Sequence, residues 1–120
     1  MLKKILTGIL LAAAVIACNS PAKKIPVTDV EVATSFVRNI LDNKFDEAEK
    51  YLLRDEINLE LFNRFRNQYS SQKKEVLEKY KDADILVNET SYITDSIYIF
   101  NYSNSYAREL KNKIKLVRVN

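Results

Sequence analysis

The chain has 120 residues, 29% of them charged, with a formal net charge of +3; this length fits one small domain, and the balance of charge is too even for nucleic acid. It has no histidine or tryptophan and a single cysteine, glycine and methionine. These absences exclude Cys–His and Ser–His–Asp nucleophile systems, Cys/His zinc sites and glycine-rich phosphate loops, so no metal or cofactor is expected and chemistry would fall to Asp, Glu, Lys, Arg, Tyr, Ser and Thr.

At the N-terminus, Lys3 and Lys4 precede an apolar run over residues 5–17 that ends at Cys18. Thirteen residues interrupted by Thr7 and Gly8 fall short of the about 20 needed to span a bilayer, but match the apolar region of a signal peptide. A lone thiol in a secreted protein calls for an explanation, and conversion to a lipid thioether supplies one. The order of basic residues, apolar run and Val15-Ile16-Ala17-Cys18 resembles the lipobox of a bacterial lipoprotein signal peptide, with Val15 and Ile16 bulkier than the residues commonest there. The resemblance implies that residues 1–17 are a signal peptide and that Cys18 is the lipidation site. It places the mature chain in the bacterial cell envelope, with the periplasmic face of the outer membrane favoured over the inner membrane. Acylation by a diacylglyceryl group and an N-acyl (palmitate-type) chain exceeds the two signals that lasting attachment requires. Loss of residues 1–17 removes Lys3 and Lys4 and no acid, lowering the net charge from +3 to +1. Residues 18–27, with Pro21 and Pro26, read as a lipidated tether. Lys23 and Lys24 there either add about 1 kcal/mol each against anionic headgroups or are simply solvated.

The folded domain is expected over residues 28–120. Thr28-Asp29-Val30-Glu31 is a capping box, with Val27 and Val32 spaced as a hydrophobic staple. Ala33, Phe36, Val37, Ile40 and Leu41 follow at helical spacing, and Asn43 stands where a left-handed residue ends a helix. A second helix is expected over 44–53, burying Phe45, Ala48, Tyr51 and Leu52. Residues 55–82 form a longer helical stretch in which Ile57, Leu61, Phe65 and Tyr69 step by four and Val76, Leu77 and Tyr80 resume the stripe. The polar residues 70–75 between them allow two helices or one with an exposed middle.

From Ile85 onward β-branched and aromatic residues dominate. Strands are expected over 85–93, 96–103 and 113–119, with a turn at Thr94-Asp95. In the second strand Ile97 and Ile99 share one face, and Tyr98, Phe100 and Tyr102 the other. Residues 104–112 are expected to form a longer connection with a helical piece near 106–110. Without glycine in the domain, Asn and Asp must supply any turn position with positive φ.

Helices followed by an antiparallel meander define an α+β domain with helices packed on one face of a curved sheet. Asn43-Lys44-Phe45-Asp46-Glu47-Ala48 resembles the "Gly-Asp-aromatic-x-x-Ala" turn between the first two helices of small nuclear-transport-factor-2-like lipoproteins, with Asn43 at the glycine position and Lys44 at the aspartate position. Residues 113–120 are similar to the strand that precedes a "Gly-x-Trp" and the final strand of that group. The resemblance covers residues 28–120 and implies a cone of helices wrapped by sheet that lacks its last strand, leaving an unpaired edge. The scaffold itself carries no single activity.

Two functions follow. The first is a non-catalytic binding or interaction module, not an enzyme, whose partners would be the membrane through Cys18 and an envelope protein or small ligand. Tyr98, Phe100 and Tyr102 would be its contact face, unless these aromatics are core packing. The alternative is a small cone-pocket enzyme using tyrosine and carboxylate acid–base chemistry. It would require a buried carboxylate beside Tyr69, Tyr92 or Tyr98 in a deep pocket. The paired acids Asp55-Glu56 and Asp82/Asp84 fall at expected helix ends, where such residues cap or face solvent.

Overall fold

A computed structural model of the chain describes residues 10–15 and 28–119. Cys18, the basic pair Lys3 and Lys4, the tether and the staple residue Val27 lie outside the described residues. The elements are β1 (Leu10–Val15), α1 (Asp29–Leu41), α2 (Phe45–Glu49), α3 (Glu56–Ser70), α4 (Lys74–Lys81), β2 (Ile85–Thr94), β3 (Ile97–Asn104) and β4 (Ala107–Arg118). The architecture is α+β, with a sheet in the order β1-β4-β3-β2.

Helix α1 begins and ends as its sequence dictates. The Thr28 hydroxyl accepts from the Glu31 amide at 3.2 Å, and the Glu31 carboxylate accepts from the Thr28 amide at 3.3 Å, so orphan N–H groups at the helix start are satisfied from both sides. At the other end Asn43 adopts φ 62°, the one positive φ among the described residues. The Lys44 amide then reaches Asn39 O at 2.7 Å and the Asn43 amide reaches Ile40 O at 2.9 Å, the pair of bonds that defines a Schellman motif. Between these caps Val32, Ala33, Phe36, Val37, Ile40 and Leu41 are buried.

Helix α2 is shorter than the expected 44–53. The α-helix ends at Glu49 and the chain tightens into i→i+3 bonds, from the Lys50 amide to Glu47 O through the Leu52 amide to Glu49 O; Leu52 lies in the core, and Asp55 caps α3 through its Oδ1, 2.9 Å from the Asn58 amide. In α3 the buried line is Asn58, Phe62 and Tyr69, with Phe65 partly buried, whereas Ile57 is 65% exposed. Strict steps of four drift about 40° per step around a helix of 3.6 residues per turn, so the expected Ile57–Leu61–Phe65–Tyr69 line cannot stay on one side. The 4-3-4 spacing of positions 58, 62, 65 and 69 does. Residues 71–73 separate α3 from α4, so the stretch is two helices.

The β2–β3 and β3–β4 hairpins are antiparallel. Tyr98 and Phe100 on β3 and Ile114 and Leu116 on β4 face the helices and join the core. The expected long connection with a helical piece near 106–110 is replaced by a tight turn at Ser105–Tyr106, and β4 starts at Ala107. The cause is Asn104. Its side-chain oxygen accepts from the Tyr106 and Ala107 amides, both at 2.9 Å, supplying an Asx turn in place of the missing glycine.

The expected bare edge of the third strand is occupied. Leu10–Val15 pairs parallel with β4, from Leu10 opposite Lys113 to Val15 opposite Arg118. The sheet thus has a fourth strand, drawn from the apolar run assigned by sequence to the leader.

Candidate functional site

A cavity of about 190 Å³ lies between the C-terminal half of α1, the end of α3, α4 and the β3–β4 hairpin. Phe36, Ile40, Leu41, Phe65 and Ile114 form its apolar wall, and Tyr69, Tyr80 and Tyr102 line it among them. Gln68, Gln72, Asn104 and Asn112 add amide groups, and Lys113 is the one charged residue on the described lining. Apolar walls with a few convergent polar groups are the usual make-up of a small-molecule site.

Each tyrosine is placed by an element already described. Tyr69, on the last turn of α3, donates from its hydroxyl to Leu41 O at 3.1 Å, tying α3 to the end of α1. Its ring packs on Tyr80 at 5.3 Å between centroids and edge-on to Phe45 at 5.4 Å. Tyr80 in turn meets Tyr106 edge-on at 4.9 Å, so the turn set by Asn104 packs against α4. Burial pushes the Tyr69 hydroxyl well above the ordinary tyrosine range, and Tyr80 adds to the shift. Burial also raises Tyr80 and Tyr102. These three groups are therefore neutral hydroxyls at any physiological pH, suited to hydrogen bonding and unsuited to act as bases.

Arg38 stabilises the same wall from outside. Its guanidinium donates to Ala83 O at 2.9 Å and Lys81 O at 2.8 Å, and also bonds Asp42 Oδ1. A cation on the last carbonyls of α4 answers the negative end of that helix and locks α4 beside α1.

A buried carboxylate beside a tyrosine does occur, but elsewhere. Asp29, 7% exposed, accepts from Arg118 Nη2 on both carboxylate oxygens at 3.0 Å and from the Tyr92 hydroxyl on Oδ2. The hydrogen bond to Asp29 raises the Tyr92 hydroxyl above its ordinary range, since ionisation would lose the bond and set two anions side by side. Tyr92 is 58% exposed and none of the three residues lines the cavity. The cluster ties the start of α1 to β2 and β4.

The sequence-derived contact face is corrected by the structure. Tyr98 is 7% exposed and Phe100 fully buried, because this side of β3 faces the helices; only Tyr102 reaches the cavity. Tyr98 packs against Tyr92 across the β2–β3 pair, with ring centroids 4.9 Å apart and the rings tilted by 54°. Of the paired acids, Asp55 caps α3 and Asp82 follows the last turn of α4. The backbone of Asp84 bonds Ser105 through both its amide and its carbonyl. Among the described residues no group of acids is arranged to hold a metal ion, and no helix is long and apolar enough to cross a membrane. The amide side chains around the cavity carried no pattern of their own in the sequence, where residues 104–112 read as a longer connection.

Set against known proteins, the chain matches no family model, no curated protein and no solved structure.

Proposed function

We propose that this chain is a lipid-anchored lipoprotein of the bacterial cell envelope whose domain binds a small, largely apolar ligand without catalysing a reaction on it. The anchor rests on the sequence Lys3-Lys4, the apolar run to Ala17, and Cys18. The binding role rests on the cavity, and one observation carries it: the described lining sets tyrosines and amide side chains on an apolar wall, with Lys113 as its one charged residue and no carboxylate. Such a set orients a ligand through hydrogen bonds while the wall takes its apolar body. The helices-then-sheet order and the Asn43 turn support the finer reading of a nuclear-transport-factor-2-like cone, with the cavity at its mouth.

The acid–base enzyme is the second reading, favoured by the Asp29–Tyr92 contact. Asp29 is already paired with Arg118, and the pair stands apart from the cavity. These positions suit a structural tie.

Temperature-induced detergent phase separation tests the anchor. The wild-type chain from bacterial membranes should enter the detergent phase, and Cys18→Ser should remain in the aqueous phase or stay as unprocessed precursor. Entry of both into the detergent phase as the same species would overturn the reading.

A further inference from the structure

Cleavage before Cys18 would remove Leu10–Val15, the strand seated on β4, so the edge it covers is the feature that changes most between precursor and mature chain. We infer that the outer edge of β4 is a strand-acceptor site in the mature protein, taking an extended segment of another envelope protein that alternates apolar and acidic residues. This inference rests on the lipoprotein reading above.

The backbone geometry defines the site. The Arg118 amide bonds Ser96 O on the β3 side at 2.8 Å. Strand alternation therefore turns the Ile114, Leu116 and Arg118 backbone groups toward β3, and those of Lys113, Lys115 and Val117 toward the edge. Leu10–Val15 covers these groups in register, from Lys113 to Arg118. Without it, a row of donors and acceptors stands unpaired, which is the template for strand addition.

The side chains select the occupant. Ile114 and Leu116 are buried, so an added strand needs apolar residues on that face to continue the core. Strand alternation takes Lys113 and Lys115 off the Ile114–Leu116 face, where they border the cavity and the cleft beside the start of α3 respectively, and none of the ion pairs among the described residues uses either lysine. A cleft of about 490 Å³ lies beside the edge, where Leu53, Ile57 and Val117 offer apolar contacts and Asp55, Glu56, Asn58 and Lys115 complete the border. A second copy fits poorly, because pairing β4 with β4 would set lysines against lysines, and like charges across strands repel. A partner strand with acids opposite Lys113 and Lys115 meets both demands.

The test uses the processed chain extracted from bacterial membranes in detergent, with its intact mass recorded first. Synthetic eight-residue peptides alternating valine with glutamate, or valine with lysine, are added, and backbone amide exchange is followed residue by residue. In the peptide-free protein the Lys113, Lys115 and Val117 amides should exchange freely while Ile114 and Leu116 stay protected. The glutamate peptide should protect the three edge amides and bind about tenfold more tightly than the lysine peptide, from two cross-strand charge pairs. Lys113→Glu/Lys115→Glu should reverse the preference. A correct mature mass with edge amides indifferent to the glutamate peptide overturns the acceptor site alone. Edge protection that grows with protein concentration and needs no peptide assigns the edge to a second copy and also overturns it. A mass showing residues 1–17 retained overturns the lipoprotein reading and this inference together.

Discussion

Arg118, near the end of β4, donates to both carboxylate oxygens of Asp29 at 3.0 Å, joining the first residue of α1 to the last residue of the sheet. Asp29 is nearly buried, and the Arg118 side chain is half exposed. Removing the arginine leaves a desolvated carboxylate with Tyr92 as its remaining side-chain partner, a larger loss than that of a surface pair. Solvent around Arg118 moderates the effect. We expect Arg118→Ala to cost roughly 1–2 kcal/mol in urea unfolding. The double variant with Asp29→Asn should recover part of that loss. Strictly additive single effects would show that the two residues do not couple.

Replacing Thr28 by Ala removes one half of the capping box and should cost about 1 kcal/mol. An unchanged urea midpoint would mean that α1 starts elsewhere.

Asn104→Ala tests the turn that the sequence did not reveal. It removes both bonds to the Tyr106 and Ala107 amides from a site that is nearly buried, for an expected loss of roughly 1–3 kcal/mol. Because Tyr106 packs on Tyr80, the same variant should broaden the Tyr80 ring signals in a nuclear magnetic resonance spectrum. A full-stability protein with sharp Tyr80 signals would contradict the role assigned to Asn104.

Alkaline pH should weaken the fold. Burial raises the hydroxyls of Tyr69, Tyr80 and Tyr102 above their ordinary range, and the bond to Asp29 raises Tyr92. A group whose pKa is higher in the folded state contributes stability that is complete below its unfolded value, about 10 for tyrosine, and is lost as pH rises toward the folded value. The urea midpoint should therefore hold up to about pH 9 and fall above pH 10. Tyr102→Phe, which keeps the ring and removes the titrating hydroxyl, should make the fall shallower. A Tyr102→Phe profile parallel to wild type would mean that Tyr102 titrates normally in the folded chain.

The legible parts of the sequence were those governed by local chemistry. The Thr28–Glu31 box, the Asn43 C-terminal turn and the alternation through Tyr98 and Phe100 each depend on neighbours within a few positions, so the residues involved state their own geometry. Ile57 misled because a run of fours looks helical on paper while drifting around the real helix. Two other features depended on distance. The Asp29–Arg118 pair spans nearly the whole domain, and the cavity gathers Gln68, Gln72, Asn104 and Asn112 from separate elements, so no local pattern announces either. The parallel pairing of Leu10–Val15 went unforeseen for a different reason: an apolar run of that length satisfies a leader and a sheet edge equally well.

The central claim is that Cys18 carries the lipid, and metabolic labelling with an alkyne-bearing palmitate tests it most directly. The account predicts that the wild-type chain, expressed in a bacterium with the lipoprotein pathway, is labelled and runs as a shortened species, while Cys18→Ser is unlabelled and uncut. Labelling of Cys18→Ser at the wild-type level, or a wild-type chain that takes up no label, would contradict it.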